Sequence, residues 1–152
     1  MQQMPPQGRI RIRRARTSDA AALASLATQL GYPATRAQAL QRFLRLARSP
    51  RDAVFVAESV AREVIGWGHV SANLLLESGK RAELNALIVA EGSRSAGAGK
   101  LLLQRAERWA RGRGCSILNL RSNVLRERAH KFYLRNGYEH YKTQKAFRKR
   151  LR

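Results

Sequence analysis

The feature of this sequence that most constrains its fold is a strand-to-helix junction between residues 87 and 103. An apolar run over residues 87–89 leads into a turn with Gly97 and Gly99, and a segment with helical hydrophobic periodicity follows. Such a junction directs unpaired backbone N–H groups and the positive end of the helix toward one point, where an anion can bind. Glycine matters in this turn because a Cβ would keep a phosphate away from the backbone. The junction therefore predicts a domain of strands and helices with a phosphate-binding turn.

Three nucleotide-binding patterns compete for this turn. A Walker A loop requires Ser or Thr after its lysine, but a leucine follows Lys100. A dinucleotide-binding fingerprint requires a third glycine at position 102, where the chain has a leucine. The pattern that fits is Arg-x-x-Gly-x-Gly, formed by Arg94, Gly97 and Gly99.

The hydrophobic periodicity along the chain predicts an α+β fold with a central mixed sheet. Gly31 should end the first helix, and Thr35 and Gln38 have the spacing of a capping box at the start of the second. A variable loop is expected near residues 77–80. The strands are predicted at 9–14, 53–57, 64–70, 82–89, 116–120 and twice within 138–151, and the helices at 17–31, 35–47, 97–113 and 125–135. The strands at 53–57 and 64–70 should form an antiparallel hairpin.

Length and composition favour a single domain over residues 9–152, preceded by a disordered tail at residues 1–8. The tail lacks the apolar core of a signal peptide, and no segment reaches the length of a membrane span. Cys115 is the only cysteine, so an intrachain disulfide is impossible. The three histidines lie on separate elements without ligand spacing, and we expect no metal site. These features together favour a cytoplasmic protein.

The charge is strongly positive, with 30 Lys and Arg against 10 Asp and Glu, a formal net charge of +20. One interpretation is a nucleic-acid or ribosome partner, because a phosphate backbone attracts many cations. The other is an arginine-rich solvated surface that also attracts an anionic cofactor. We favour the second, because the basic residues are spread along the chain and no RNA-binding signature accompanies them.

At residues 94–99 the chain resembles the GNAT N-acetyltransferase family, whose pyrophosphate motif is Gln/Arg-x-x-Gly-x-Gly/Ala at a strand-to-helix junction. Residues 82–89 are similar to the family's central strand, and residues 128–138 resemble its Ala-x-x-Phe-Tyr helix, which closes with Gly-aromatic. The opening segment 12–31 is similar to its first strand and helix. The resemblance covers most of the chain. It implies the GNAT acyl-CoA N-acyltransferase fold: a mixed, mostly antiparallel sheet flanked by helices, which splits where strands 82–89 and 116–120 diverge.

The resemblance also implies which residues bind the acetyl donor, acetyl-CoA. The strand residues Leu87 and Val89 should offer backbone groups to the pantetheine amides, and a strand N–H near Leu87 should polarise the thioester carbonyl. Asn123 takes a cofactor contact, because the position where many members have asparagine holds Arg126. Ala96 replaces a residue that is often basic, which removes one phosphate partner. The implied cofactor-binding residues are Leu87, Ile88, Val89, Arg94, Ser95, Ala96, Gly97, Ala98, Gly99, Lys100 and Asn123.

Two residues are implied in catalysis. Tyr133 matches the tyrosine that often protonates the leaving thiolate. Glu83 either takes the proton of the amine, through a water molecule, or binds a cationic substrate. The expected reaction is direct attack of an amine on the acetyl thioester in a ternary complex. A cationic acceptor would be repelled unless Glu77, Glu83 or Asp52 gather locally.

Two further expectations concern partners. The alternative to an enzyme is a non-catalytic module, associated with a ribosome or nucleic acid, on the same scaffold. We also expect a homodimer formed through sheet contacts or through the C-terminal strands, since residues 138–151 carry more apolar area than a frayed terminus usually does.

Overall fold

A computed structural model describes residues 9–94 and 96–152. The described residues contain one five-stranded sheet in the order β1-β2-β3-β4-β5, with strands β1 Arg11–Arg14, β2 Asp52–Glu58, β3 Val64–Leu75, β4 Gly79–Val89 and β5 Leu118–Leu120. The strands β1 to β4 are antiparallel, whereas β5 is parallel to β4. The helices are α1 Ala20–Gln29, α2 Arg36–Arg48, α3 Ala98–Gly112 and α4 Glu127–Arg135. The predicted α+β class and the mixed, mostly antiparallel sheet are therefore confirmed.

The chain forms two compact units, of which the first ends at Arg121 and the second is Ser122–Arg152. The sheet and the helices α1, α2 and α3 belong to the first unit, and α4 belongs to the second. A single domain over residues 9–152 stays a prediction. The tail at residues 1–8 lies outside the described residues.

Local hydrogen bonds explain where the first two helices begin and end. Gly31 follows α1 with a φ of +91°, a conformation that glycine adopts without strain. The predicted capping box of α2 is confirmed. The Thr35 hydroxyl accepts the Gln38 N–H at 3.1 Å, and the Gln38 side chain accepts the Thr35 N–H at 3.0 Å.

Helices cover both faces of the sheet. One face packs its β2 residues Val54 and Val56 against Leu23 of α1 and Phe43 of α2. The helix α3 packs on the other face, where Gly66 of β3 lies close to its side chains. A Cβ at Gly66 would lie 2.8 Å from the Ile88 carbonyl oxygen, so only glycine fits there.

The prediction of two strands within residues 138–151 is wrong, because the residues that the structure describes contain no strand after β5. Tyr141, Phe147 and Leu151 are exposed, and six of the last eleven residues are Lys or Arg. These cations do not alternate with apolar residues, so the segment has no apolar face to pair against a sheet.

The variable loop expected near residues 77–80 is a tight turn instead. The strand β3 continues to Leu75 and β4 already begins at Gly79, whose φ is +77°. Because the register is continuous across the turn, with Leu75 opposite Gly79, the two strands form one long hairpin.

Candidate functional site

The strand β4 has an open edge where β5 leaves it. The strand β5 pairs with Ala82, Glu83 and Leu84 and ends there, while β4 continues to Val89. The predicted divergence of the two strands stays a prediction. On its other side β4 stays paired with β3 to its end. The Ala90 N–H donates to the Ile65 carbonyl at 2.7 Å across that side.

The alternation of an antiparallel ladder then decides which backbone groups face the open edge. Because Ala90 turns its N–H toward β3, Ile88 does the same, and the N–H and C=O groups of Leu87 and Val89 point to the edge that β5 has left. Two of the three predicted strand residues therefore present backbone groups there, and Ile88 uses its own within the sheet.

A β-bulge lies next to this edge. In the register of β3 and β4, Val70 is opposite Leu84 and His69 is opposite Ala86, so Asn85 is the extra residue. A bulge increases the local twist of a strand and redirects its side chains. The bulge lies one residue beyond the last β4 residue that pairs with β5.

The turn after β4 delivers the chain to the start of α3. Gly97 is the residue before the helix and has a φ of +86°, so this position favours glycine. No side chain of the described residues caps the helix, and its first-turn N–H groups face outward from Ala98, Gly99 and Lys100. Arg94, three residues before Gly97, is exposed. Ser95 lies outside the described residues.

Polar side chains form one row across four strands on the face that packs against α1 and α2. Asp52 is opposite Ser71, Ser71 is opposite Glu83, and Glu83 is opposite Asn119. Residues opposite each other share a face of the sheet. The bulged Asn85 donates its amide N–H to the Ser71 hydroxyl at 2.9 Å. Glu77, by contrast, lies exposed in the β3–β4 turn, away from this polar row.

Glu83 is the carboxylate of the polar row nearest to the open edge. Its Oε1 lies 3.5 Å from Nε of Arg121, which follows β5. The Glu83 side chain is 32% exposed, whereas that of Arg121 is 84% exposed. An ion pair this exposed is weak, so the carboxylate can exchange Arg121 for another cation.

A hydrogen-bonded chain of three side chains adjoins the polar row. The Ser49 hydroxyl donates to Oδ2 of Asp52 at 2.7 Å, and His69 Nε2 lies 2.8 Å from Oδ1 of Asp52. The sequence pattern did not reveal this pair, since the two residues are seventeen positions apart. Only the register of the β2–β3 hairpin brings them together.

The face that packs against α3 is positively charged. The guanidinium groups of Arg14 and Arg105 both lie over the ring of Phe55, at 5.2 and 4.9 Å from its centroid. Burial lowers the pKa of Arg14, and the charges of Arg105 and Arg113 lower it further. Positive charge is therefore concentrated on this face.

In the second unit, Tyr133 lies on α4 between two aromatic rings. Its ring meets those of Phe132 and Tyr138 edge to face, at centroid distances of 5.2 and 5.7 Å. Burial raises the pKa of Tyr133 above its usual value, although the charge of Arg126 opposes the shift. The phenol is therefore protonated at neutral pH and can act as a proton donor.

Asn123 forms the turn before α4. Its Oδ1 accepts the Leu125 N–H at 2.9 Å, and its carbonyl oxygen lies 2.8 Å from Nε2 of His130. The side chain is exposed, so its amide N–H remains accessible to a ligand.

Neither a metal cluster nor a membrane-spanning helix is found in the part of the chain that the structure describes. There, no three His, Cys, Asp or Glu residues come close enough to hold a metal ion. The helices described are too short or too polar to cross a bilayer.

Comparison with known proteins identifies the family. The family model described as "Acetyltransferase (GNAT) family" matches residues 19–138. The chain belongs to the GNAT acetyltransferase family. This membership supports acetyltransferase activity in general, and the GNAT fold predicted from the sequence is confirmed.

Relatives and solved structures agree with the GNAT assignment. The uncharacterized N-acetyltransferase YhfO of Bacillus subtilis is 33% identical over 84% of this chain and 89% of its own length. The aminoglycoside N(6')-acetyltransferase type 1 of Klebsiella aerogenes is 30% identical over 65% of this chain and 67% of its own. The structure of the aminoglycoside N-acetyltransferase AAC(6')-Iy in complex with CoA superposes with a TM-score of 0.86 at 20% identity, covering 97% of this chain and 99% of that one. The last similarity concerns the fold alone.

Proposed function

We propose that this GNAT protein transfers the acetyl group of acetyl-CoA to a cationic amine by direct attack within a ternary complex. The observation that carries the proposal is the open edge of β4, which runs into an uncapped helix start preceded by a left-handed glycine. The open edge of β4 offers backbone groups that can bind amides, and the start of α3 offers N–H groups that can bind a phosphate. Coenzyme A has amides and a pyrophosphate in that order.

The turn before α3 is the proposed pyrophosphate site. The first-turn N–H groups and the positive helix end favour an anion there. Arg94 and Lys100 are both exposed and add two positive charges, although Ala96 offers none. The proposed residues are Arg94, Ser95, Ala96, Gly97, Ala98, Gly99 and Lys100, and the share of Ser95 rests on the motif alone.

The open edge of β4 is the proposed site of the pantetheine arm and the thioester. The Leu87 and Val89 backbone groups pair with the pantetheine amides as a neighbouring strand would. The N–H at Leu87 then polarises the thioester carbonyl, because a preorganised donor stabilises the oxyanion that develops on it. Asn123 is proposed to contact the cofactor through its accessible amide.

The polar row is the proposed acceptor site. It gathers Asp52 and Glu83 on one face, as a cationic acceptor requires in a chain of net charge +20. Relatives named aminoglycoside and aminoalkylphosphonate N-acetyltransferases support an amine as the acceptor. We propose Glu83 for the acceptor and Tyr133 for the leaving thiolate.

A substitution at Gly99 tests the cofactor site. Gly99→Val places a branched side chain in the first turn of α3, and we expect acetyl-CoA affinity to fall by at least tenfold, about 1.4 kcal/mol, because the backbone is blocked. Isothermal titration calorimetry measures the affinity, and circular dichroism checks that the variant is folded.

The matched control is Gly112→Val, the same substitution at the last residue of α3. The fourteen residues from Ala98 place it roughly 20 Å from the helix start, so its acetyl-CoA affinity should not change. A folded Gly99→Val protein that binds acetyl-CoA as the parent does would refute the proposed site.

The competing function, a nucleic-acid-associated module, is distinguished by its salt dependence. It would bind RNA with an affinity that falls steeply with salt and would ignore acetyl-CoA. We favour the enzyme, because a scaffold needs neither the open edge of β4 nor the polar row. The cytoplasmic location stays a proposal.

The homodimer is also a proposal, and we expect light scattering at micromolar concentration in moderate salt to give twice the mass of one chain. Phe147 and Leu151 are exposed near the C-terminus and supply apolar area for an interface. Self-repulsion should weaken the dimer at low ionic strength, where charges are least screened. A single-chain mass in moderate salt would exclude it.

A further inference from the structure

The chain Ser49–Asp52–His69 adjoins the proposed acceptor site. We propose that His69, oriented by Asp52, accepts the proton of the acceptor amine, and that Glu83 binds the charge of the acceptor. This inference rests on the proposed acetyl transfer and assigns the residue that handles its proton.

The hydrogen bonds determine the tautomer of His69. An ionised carboxylate only accepts hydrogen bonds, so at 2.8 Å from Asp52 the Nε2 atom must carry hydrogen. In the neutral ring, Nδ1 is then the basic atom. No hydrogen bond from the described residues reaches Nδ1. Ser49 occupies the second oxygen of Asp52, so that carboxylate is held in place on both sides.

His69 lies on β3, one strand away from the open edge of β4. It is opposite Ala86, which lies between the bulged Asn85 and Leu87, the residue whose N–H faces the open edge. Adjacent strands lie roughly 4.8 Å apart, so an amine held over Ala86, on the face that carries the polar row, is about one strand spacing from His69. The His69 side chain is 20% exposed, which leaves it accessible.

Charged groups share the face of the sheet that carries His69. Asp52 faces His69 from β2, and Glu83 lies on β4 in the adjacent row, paired with Arg121. Two helices pack on this face: α1 carries no charged residue, whereas α2 carries Arg36, Arg42, Arg45 and Arg48. The charge in direct contact with His69 is Asp52, which orients the imidazole.

Glu83 is suited to bind the charge of the acceptor. Its carboxylate is already paired with a cation, Arg121, at 3.5 Å and is more exposed than Asp52. A carboxylate that exchanges one exposed cation for another binds an ammonium group readily. The sequence left Glu83 as either base or binder, and the geometry points to the binder.

The proposed step balances as follows. The attacking nitrogen first loses one proton of its ammonium form to solvent, while Glu83 binds another cationic group of the acceptor. The lone pair freed in this way attacks the thioester carbonyl carbon, a C–N bond forms, and the C–S bond breaks with its electron pair leaving on sulfur. The second proton lost by the nitrogen moves to Nδ1 of His69 and then to solvent. Tyr133 gives its proton to the thiolate and regains one from solvent. The products are the amide and the free thiol of coenzyme A.

The test measures kcat/KM against pH by thiol release for the parent, His69→Gln, Asp52→Asn and Glu83→Gln. The parent should lose activity on the acid side, because protonated His69 cannot accept a proton, and His69→Gln should lose this acid limb together with roughly 10²-fold in kcat. Asp52→Asn should lower kcat, since the imidazole loses the carboxylate that orients it. Glu83→Gln should keep the limb and raise KM for the acceptor.

Three controls make the result specific. The pH profile is measured with two acceptors whose ammonium groups have different pKa values. An acid limb caused by the protein stays at the same pH for both acceptors, whereas a limb caused by the acceptor moves with its pKa. His140→Gln changes an exposed histidine to which no role is assigned and should leave the profile unchanged. Calorimetry should give the parent affinity for acetyl-CoA in His69→Gln, which shows that the fold and the donor site are intact.

The inference is overturned if His69→Gln retains the turnover and the acid limb of the parent, or if Glu83→Gln removes that limb. Failure of the proposed function looks different. In that case the parent itself releases no thiol with any amine and gives no binding heat with acetyl-CoA.

Discussion

Replacing Tyr133 by phenylalanine should lower turnover by about 10²-fold while acetyl-CoA affinity stays nearly constant. The substitution keeps the ring between Phe132 and Tyr138 and removes only the hydroxyl. Because burial raises the pKa of Tyr133, the phenol holds its proton at neutral pH and can give it to a thiolate. Steady-state thiol release gives kcat, and calorimetry gives the affinity.

The pH profile adds a second expectation for Tyr133. A proton donor stops working when pH rises above its pKa, and a raised pKa moves that loss to higher pH than for an ordinary tyrosine. The exposed Tyr141, changed to phenylalanine in the same way, is the control and should turn over as the parent does. Equal kcat in the Tyr133→Phe protein would leave this tyrosine with a packing role only.

The helix boundaries that the sequence predicted correctly have local causes. The capping box at Thr35 and Gln38 spans one helical turn, and the left-handed glycines Gly31 and Gly97 mark a helix end and a helix start through their own backbone. The strands predicted after residue 138 failed, because a strand also needs a distant partner. The cationic C-terminal sequence carries no pattern that selects one.

The donor half of the site could be predicted from local sequence, whereas the acceptor half could not. The turn at Gly97 and the strand before it form a contiguous motif, so the sequence alone indicated them. His69 and Asp52 lie on different strands, and their contact depends on the β2–β3 register and on the bulge at Asn85. The alternation of apolar and polar residues along a strand shows only which of its side chains share one face of that strand. Which residues share that side across the sheet depends on pairings that the sequence does not spell out.

The ion network at Arg13 should control the stability of the fold. Arg13 is 11% exposed and donates to both oxygens of Asp19 at 2.8 and 2.9 Å, and to Glu58 at 2.9 Å. Asp19 is 6% exposed and also accepts the Arg16 N–H at 2.7 Å. Burial alone would raise the pKa of Asp19, but the hydrogen bonds from Arg13 and Arg16 hold it below its usual value.

Asp19→Ala should therefore lower the free energy of unfolding at pH 7 by about 3 kcal/mol, because a buried guanidinium loses one of its two carboxylates. Since the pKa of Asp19 is lower in the folded state, its contribution is present above the unfolded value of about 3.9 and is lost as pH falls below it. The difference between parent and variant in urea unfolding should thus be large at pH 7 and shrink toward pH 2. Glu63→Ala, which removes an exposed acid, should change neither value. If the two proteins differ equally at both pH values, the ion pair is not the cause, and Asp19 stabilises the fold through the start of α1 instead.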